Sequence, residues 1–319
     1  MSNCIVVEGL EMKFRGCDAL RGIDLAVPQG AVFALLGENG AGKSTLIRIL
    51  TGFQIPTRGT CRVLGLDPIR DSLEIRRRIG YVSDAPSLYE WMRVDEVGWF
   101  TSAFYGEGYL KRYRDSVDHY ELPLQRKIKH LSKGQRAKVA LALATSHDPE
   151  LLILDEPTSG LDPLVRREFL ESMVDRAVSG RTVLLSSHQI SEVERVSDHV
   201  AILHNGKIGI AESLAKLRQD TYEVTLTVSD PLAALPLVSE PAKIMKEQRI
   251  GRQIQWIVHG FSDALEDTLS SWAGVQSVRT RPATLEEIFI ACTRGGSTVP
   301  NSGEGSIRSD FSLEDLHAS

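Results

Sequence analysis

Strand-like and helix-like segments alternate along much of this 319-residue chain, which predicts an α/β fold with helices on the faces of a sheet. A glycine-rich stretch, "GENGAGKST", separates an apolar segment at 32–36 from a segment with helical spacing. After about residue 220 the pattern changes to alternating strands and short helices. Together these observations predict a large α/β domain with a mixed sheet, followed by a small α+β accessory region.

The large domain is expected over residues 1–218. Its first 70 residues carry alternating or continuous apolar runs broken by Gly and Pro, which is typical of β-structure. Residues 71–130 are charged and aromatic with helical periodicity, so a helical subdomain is expected over about 71–146. From residue 131 the alternation predicts helix 132–146, strand 151–155, helix 163–178, strand 182–187, helix 190–197 and strand 199–203.

The accessory region is expected over residues 219–295. Its stretches "YEVTLTV", "QIQWIV" and "VQSVRTR" predict strands, and "SDALEDTLSSWAG" and "TLEEIFIACTR" predict helices. Thr284 and Glu287 have the spacing of a capping box at the start of the last helix. The remaining residues, 296–319, are rich in Ser, Gly and acidic side chains, so we expect a disordered tail.

Composition narrows the classes of function. The formal net charge of −5 disfavours a general nucleic-acid binder, whose binding face is usually basic. The sequence contains no run of about 18 apolar residues, as a membrane-spanning helix would need, and its start lacks the pattern of a signal peptide. We therefore expect a cytoplasmic location. The four cysteines have neither metal-like nor redox-like spacing, so no chemistry is assigned to them.

The stretch from Gly37 to Ser44 fits the pattern G-x-x-x-x-G-K-[ST], the phosphate-binding loop of P-loop NTPases. Its glycines allow backbone N–H groups to face phosphate oxygens, and the positive end of the following helix adds to the attraction. Lys43 would neutralise the β- and γ-phosphates, and the Ser44 hydroxyl would bind Mg²⁺. The loop residues expected to contact ATP are Gly37, Asn39, Gly40, Ala41, Gly42, Lys43, Ser44 and Thr45.

The stretch "LLILDEP" predicts a buried strand that delivers two carboxylates to the ligand-binding edge of the sheet. Asp155 is expected to hold Mg²⁺, and Glu156 to orient the attacking water or accept its proton. An acidic turn without catalytic function is the alternative. His188 follows the strand "TVLLSS" in a similar position, so a contact with the γ-phosphate is favoured over a purely structural role.

The segment "LSKGQ", residues 131–135, stands immediately before a predicted helix. Ser132 can cap that helix, but a glycine near a helix start lowers stability without adding packing. Helix formation therefore leaves Gly134 unexplained.

Five stretches, "GENGAGKST", "LSKGQ", "LLILDEP", "SGLD" and "SSH", resemble in order and spacing the ATP-binding subunit of an ABC transporter. The resemblance covers roughly residues 3–215. It implies a head-to-tail dimer in which Ser132, Gly134 and Gln135 complete the nucleotide site of a partner. Gly134 would then lack a side chain so that its N–H can approach the partner's γ-phosphate. A homodimer or a pair with a related subunit is expected, because the chain has a single phosphate loop.

The same resemblance assigns further positions. Phe14 matches an aromatic residue that stacks on adenine, with a core phenylalanine as the alternative. Asp162 matches the loop that crosses between the two sites, Glu156 the catalytic base and His188 the switch histidine. Lys133, in the "LSKGQ" stretch, stands where the family usually has a glycine. Asp84 stands where the family has a glutamine that binds Mg²⁺ and couples the ATPase to the membrane subunit. We hypothesise that Asp84 keeps the coupling role with altered metal dependence.

These features imply an ATPase that couples dimer closure to a separately encoded membrane permease, at the cytoplasmic face of the cell membrane. The stretches "IGYVSDAPSLYEWMRVDE" and "TLEEIFI" resemble subunits that drive exporters. The alternatives are a soluble ABC ATPase acting on ribosomes or nucleic acid, which the net acidity disfavours, and a regulatory subunit with poor turnover. The accessory region is expected to stabilise the dimer, to regulate it or to serve a structural purpose.

Overall fold

The computed structural model describes residues 2–232 and 235–294. Within these ranges, no helix combines the length and the apolar character that crossing a membrane requires. The predicted disordered tail, 296–319, lies outside the described residues.

The contacts of the chain divide it into two compact units, Met1–Ile208 and Gly209–Ser319. The sequence instead predicts a boundary after residue 218. The difference has a local cause, because the helix Leu214–Asp220 packs against the strand Thr221–Val228 that follows it. The segment before residue 218 therefore groups with the second unit.

The first unit begins with an antiparallel sheet. The elements of this segment are β1 (Asn3–Phe14), β2 (Cys17–Pro28), β3 (Val32–Leu36), α1 (Lys43–Leu50) and β4 (Arg58–Val63). Strands pair in the order β2-β1-β4, and Ile5, Val7 and Leu10 of β1 are buried. All five residues of β3 are buried, and this strand belongs to a second sheet, as expected for a strand covered on both faces.

A helical subdomain follows, interrupted by one strand. Its elements are α2 (Ser72–Arg78), β5 (Ile79–Val82), α3 (Val94–Ser102), α4 (Tyr109–His119) and α5 (Lys133–Thr145). Helices α3, α4 and α5 share a core that includes Tyr109, Tyr113 and Val139. The prediction of a helical segment over 71–130 missed β5, which pairs in parallel with Leu151–Leu154. Four residues between helical stretches are too few to show a strand pattern.

The remainder of the first unit continues the second sheet. Its elements are β6 (Leu151–Asp155), α6 (Pro163–Val178), β7 (Thr182–Ser187), α7 (Ile190–Val196) and β8 (His199–His204). The next strand, β9 (Lys207–Ser213), begins in the first unit and continues past its boundary at Ile208. The strand order is β5-β6-β7-β3-β8-β9, and β5 to β8 run parallel. The predicted α/β fold is confirmed. The carboxyl ends of β3, β5, β6 and β7 meet at one edge, where ligands bind in such sheets.

The second unit is an antiparallel sheet with helices. Its elements are α8 (Leu214–Asp220), β10 (Thr221–Val228), β11 (Lys243–Ile250), β12 (Gln253–His259), α9 (Asp263–Ser271), β13 (Val275–Pro282) and α10 (Leu285–Arg294). The strand order is β11-β12-β10-β13. The sequence prediction missed β11, an edge strand whose polar residues do not alternate with apolar ones. The capping box is confirmed, since Glu287 N donates to Thr284 Oγ1 at 3.3 Å and Thr284 N donates to Glu287 Oε2 at 2.9 Å.

Candidate active site

The glycine-rich loop joins β3 to α1 and is tied down at both ends. Gly37 N donates to the carbonyl of Ser187 at the end of β7 (3.2 Å), and the Ala41 carbonyl accepts from Gly206 N (3.0 Å). Gly42, just before α1, has a φ of 112°, and a Cβ there would lie 2.7 Å from the Ala19 carbonyl oxygen. Only glycine satisfies both conditions. The loop is therefore held in shape by the protein itself.

The glycines of the loop have different tasks. A Cβ on Gly37 would lie 2.5 Å from the carbonyl oxygen of Leu203 on β8, so Gly37 permits close packing within the sheet. Gly40 has a φ of 83°, and a Cβ there would meet nothing within 4 Å. The sequence pattern predicts that both serve phosphate approach. The structure adds an internal packing reason for Gly37.

Lys43 directs its ammonium group back into the loop. Its Nζ donates to the carbonyls of Gly37 (2.6 Å) and Glu38 (3.3 Å) and lies 2.9 Å from Glu156 Oε1. The side chain is 5% exposed. The cation is thus held at the N-terminus of α1 by two main-chain carbonyls and a carboxylate, where an arriving phosphate would meet it.

Glu156 connects the ends of β6 and β7 with the start of α1. It follows β6 with a φ of 49°, a left-handed conformation that costs on the order of 1 kcal/mol for a residue other than glycine. Its N–H donates to Ser186 Oγ (3.0 Å) and to the Ser186 carbonyl (3.2 Å), which offsets this strain. Its carboxylate lies between Lys43 Nζ (2.9 Å) and His188 Nδ1 (2.7 Å). The structure therefore brings the three predicted catalytic residues together.

Asp155 ends β6 and is 4% exposed. Its Oδ1 accepts a hydrogen bond from Ser186 Oγ at 2.7 Å, so β7 holds the carboxylate in place. Its charge also reaches β5. Burial raises the pKa of the Tyr81 phenol, and the Asp155 carboxylate raises it further.

An open cleft of about 480 Å³ lies beside this group, a volume in the range of small-molecule sites. Nine predicted site residues line it: Phe14, Asn39, Gly40, Gly42, Lys43, Ser44, Thr45, Asp84 and Glu156. Others that the sequence did not single out also line it: Cys17, Asp18, Ala19, Arg21, Glu38, Asn205 and Gly206. They come from the first residues of β2, the phosphate loop and the β8–β9 turn, and only their proximity in space identifies them.

Eight predicted residues lie outside this lining set. Gly37 and Ala41 belong to the phosphate loop, and Asp155 and His188 adjoin Glu156. The other four lie at the starts of α5 and α6: Ser132, Gly134, Gln135 and Asp162. Ser132 Oγ accepts from Gln135 N and Gln135 Oε1 accepts from Ser132 N, both at 3.1 Å. Asp162 Oδ1 caps α6, accepting from Leu164 N (3.1 Å) and Val165 N (3.0 Å). In this chain all three side chains named serve helix capping.

Gly134 and Lys133 contact the segment after β6. A Cβ on Gly134 would lie 3.3 Å from Val165 Cγ1, so the missing side chain first of all lets α5 approach α6. Lys133 Nζ lies 2.6 Å from the position that a Cβ on Gly160 would occupy. Gly160 has a φ of 66°, a left-handed conformation that favours glycine. The "LSKGQ" and "SGLD" stretches are therefore neighbours within one chain.

The chain is similar to known proteins of one family. The sequence profile of the ABC transporter family matches residues 20–159. An uncharacterised ABC transporter ATP-binding protein of Nostoc sp. is 39% identical over 222 residues, which span 65% of this chain and 64% of that protein. The nickel import ATP-binding protein NikO of Rhodobacter capsulatus is 34% identical over 68% of this chain and 92% of its own length. The chain belongs to the ATP-binding proteins of ABC transporters.

Other relatives and solved structures extend the comparison. The daunorubicin resistance ATP-binding protein DrrA3 of Streptomyces coeruleorubidus is 30% identical over 91% of this chain and 95% of that protein. The solved structure of an ATP-binding subunit of an ABC transporter is 32% identical with a TM-score of 0.63, over 68% of this chain and 92% of that one. A dimeric bacterial ABC transporter cassette, MJ0796, is 25% identical with a TM-score of 0.58, over 66% of this chain and 98% of that one.

One buried polar residue of this ABC ATP-binding protein escaped the sequence analysis. Glu192 on α7 is 3% exposed, and its carboxylate accepts hydrogen bonds from Thr158 and Ser187. The signal that was available is its position four residues after His188, on the face of α7 that its neighbours Val193 and Val196 bury.

Proposed function

We propose that this ABC ATP-binding protein hydrolyses Mg-ATP in the cleft beside the phosphate loop and drives a separately encoded membrane permease. The observation that carries the proposal is the contact chain from Lys43 through Glu156 to His188, at 2.9 and 2.7 Å. A cation for the phosphates, a carboxylate for water and an imidazole for the γ-phosphate are the groups that such a hydrolysis requires.

ATP would lie along the cleft with its adenine on Phe14 and its phosphates at the loop. Phe14 lines the cleft and is 47% exposed, which leaves its ring accessible for stacking and disfavours the alternative of a core residue. The phosphates would receive N–H groups from the loop and charge from Lys43.

Magnesium fits the oxygen donors of the site. Ser44 and Asp84 both line the cleft, and Asp155 ends the adjacent strand. Among the described residues no cluster of three or more His, Cys, Asp or Glu side chains is arranged as a metal cage. Mg²⁺ at nucleotide sites is usually held by few protein oxygens together with phosphates and water. When bound, the ion would neutralise phosphate charge.

Glu156 and Lys43 exchange partners when ATP binds. The γ-phosphate attracts Lys43 Nζ, which frees Glu156 Oε1 to orient a water molecule and accept its proton. The water oxygen then bonds to the γ-phosphorus while the bond to the β–γ bridging oxygen breaks, giving ADP and phosphate. His188, at 2.7 Å from the other carboxylate oxygen, holds Glu156 in position and contacts the γ-phosphate.

A second copy of the chain, or a related subunit, would complete the site in a head-to-tail dimer. The starts of α5 and α6 contribute nothing to the cleft of their own chain, and the related cassette MJ0796 has a dimeric structure. ATP bound between two copies closes the dimer, and hydrolysis removes the phosphate that bridges them. Closure thus shifts the population between open and closed dimers, and the helical subdomains would transmit the change.

The permease would dock on exposed aromatic residues of the helical subdomain, which would hold the ATPase at the cytoplasmic face of the membrane. Trp91, Trp99 and Phe104 are 64%, 65% and 68% exposed. Ring contacts link Tyr89 to Trp91 and Phe100 to Phe104. An aromatic patch of this kind marks an interaction surface. Export is the favoured direction of transport, on the resemblance to exporter subunits and the match of 91% of this chain to a drug-resistance protein.

The variant Glu156→Gln tests this proposal. We expect ATP turnover to fall by roughly 10²- to 10⁴-fold, because the amide cannot accept the proton, and Mg-ATP to hold the variant as a dimer. Steady-state phosphate release and light scattering after size exclusion measure both. Glu171→Gln, at an exposed carboxylate of α6, is the control. A monomer at saturating Mg-ATP would contradict the dimer.

The same variant, purified with Mg-ATP from solubilised membranes of its source cells, tests the partner. A polytopic membrane protein should co-purify with Glu156→Gln. Less of it should co-purify with the Glu156→Gln, Trp99→Glu double variant. Ribosomes or nucleic acid as sole partners would favour the soluble ABC ATPase instead.

A further inference from the structure

Glu192 is a carboxylate in the interior of the first unit. It lies in the first turn of α7, and 3% of its surface is exposed. A buried carboxylate is unfavourable unless hydrogen bonds and a cation compensate it, so its partners indicate its function.

Two hydroxyl groups converge on this carboxylate. Thr158 Oγ1 lies 2.8 Å from both carboxylate oxygens, and Ser187 Oγ donates to Oε2 at 2.9 Å. Thr158 follows Glu156 by two residues, and Ser187 immediately precedes His188. Glu192 therefore joins the two backbone segments that carry the Glu156–His188 pair.

A cation links the same carboxylate to the "SGLD" stretch. Arg166 Nε on α6 lies 3.3 Å from Glu192 Oε1. The same guanidinium donates to Gln189 Oε1 (2.7 Å) and to the Leu161 carbonyl (3.3 Å). Leu161 precedes Asp162, and Gln189 follows His188. One ion pair thus spans the loop before α6 and the loop before α7.

We propose that Glu192 is a positioning residue for ATP hydrolysis. Through Thr158 and Ser187 it sets the separation of Glu156 and His188. Through Arg166 this separation depends on the position of the loop before α6 that contains Asp162, the Asp162 loop. The inference rests on the proposed function, because it assumes that Glu156 and His188 act on ATP. In the proposed dimer the Asp162 loop approaches the partner. The Glu192–Arg166 pair then passes a displacement of that loop to the catalytic carboxylate.

Substitutions can separate the charge from the hydrogen bonds. Glutamine has the shape of glutamate and can still bond both hydroxyl groups, but it does not attract Arg166. Alanine removes every interaction. We expect kcat to fall about tenfold in Glu192→Gln and roughly 100-fold in Glu192→Ala, because small misplacements of catalytic groups have effects of this size. The dissociation constant for ATP should stay within about twofold, since Glu192 does not line the cleft.

The measurements are kcat, the dissociation constant for ATP by titration calorimetry, and the melting temperature, each on the full chain. Glu171→Gln removes an exposed carboxylate that pairs with Arg167 and Arg195, and it is the matched control. If Glu192→Ala does not fold, Glu192→Gln alone decides. The pair is tested further with Arg166→Gln: in the double variant with Glu192→Gln, kcat should be no lower than in the slower single variant.

A kcat of Glu192→Gln within about twofold of the parent would overturn the inference. So would a loss of ATP affinity equal to the loss of kcat together with a lower melting temperature, which indicates a merely structural residue. Absence of ATP hydrolysis in the parent protein, with or without a partner subunit, would instead overturn the proposed function.

Discussion

The phosphate-loop cleft lies at the N-terminus of α1, and the "LSKGQ" stretch lies at the N-terminus of α5. Both helix N-termini suit anions, but their surroundings differ. The cleft gathers Lys43, Glu156 and Asp84 from different strand ends around one cavity. At α5, the Ser132 and Gln135 side chains bond to each other's backbone, and Ser132 is exposed. In the proposed function, the first region would supply most of the catalytic site, whereas the second would supply an anion-binding terminus to the partner. The comparison teaches that one chain carries two separate halves of the proposed site.

A charge at Ser132 tests this division with the largest expected effect. Aspartate and asparagine both cap helices, so Ser132→Asp and Ser132→Asn preserve α5 and differ only in charge. We expect Ser132→Asp to lower kcat roughly 100-fold through repulsion of the partner's phosphates, with Ser132→Asn much less affected. ATP binding to the monomer should stay unchanged in both, because Ser132 does not line the cleft. Equal kcat values for the two variants would contradict the proposal that the start of α5 faces the partner's phosphates.

Much of the first region could be predicted from sequence, because its chemistry is contained in short contiguous patterns. Gly37–Ser44 follows one buried strand, Asp155 and Glu156 stand at the end of another, and parallel strands deliver their ends to one edge. The contributions of Arg21 and Asn205 to the cleft depend on contacts between distant segments. No local pattern reveals these.

Other features could not be predicted for similar reasons. Strand β5 is too short to show a period, and β11 is polar because it lies at a sheet edge. The packing role of Gly134 against Val165 depends on how α5 meets α6. The ion pair between Glu192 and Arg166 joins residues that are far apart along the chain. Such pairs become visible only when the helices are placed.

Asp84 tests the metal side of the cleft with an intermediate expected effect. Asp84→Ala should raise the Mg²⁺ concentration for half-maximal hydrolysis about tenfold, because a second carboxylate oxygen donor is lost. Asp84→Gln should raise this Mg²⁺ concentration less than Asp84→Ala does, since an amide oxygen can replace the carboxylate. Hydrolysis assays over a Mg²⁺ series at saturating ATP measure the shift. If Asp84→Ala leaves both hydrolysis and its Mg²⁺ dependence unchanged, the assigned metal role of Asp84 is wrong.

A substitution in the second unit lies outside both half-sites, and it has the smallest expected effect of the variants considered. The Arg281 guanidinium, 2.6 Å from Glu287, lowers the pKa of that carboxyl from 4.5 to about 2, with help from the Thr284 capping bonds. Burial raises the pKa of the neighbouring Glu223. The Glu287 carboxylate therefore stabilises the fold above about pH 4.5, and this contribution declines as the pH falls towards 2.

Glu287→Gln should accordingly lower the melting temperature by about 2 °C at pH 7, and by less at pH 3. Glu286→Gln, at the preceding residue of α10, is the control. ATP hydrolysis should be unaffected in both variants, which separates this region from the two half-sites. If the difference in melting temperature between Glu287→Gln and the parent grew on acidification, the pH dependence assigned to the Glu287 carboxylate would be wrong.

Mixing two inactive variants tests the division between the half-sites most directly. Lys43→Met removes the phosphate-loop cation and Ser132→Asp blocks the start of α5, so each variant alone should hydrolyse ATP poorly. In a mixed head-to-tail dimer, one site combines an intact phosphate loop with an intact α5. Mixing should therefore restore up to about a quarter of the parent's activity. Activity that stays at the level of the separate variants, although mixed dimers form, would contradict the account.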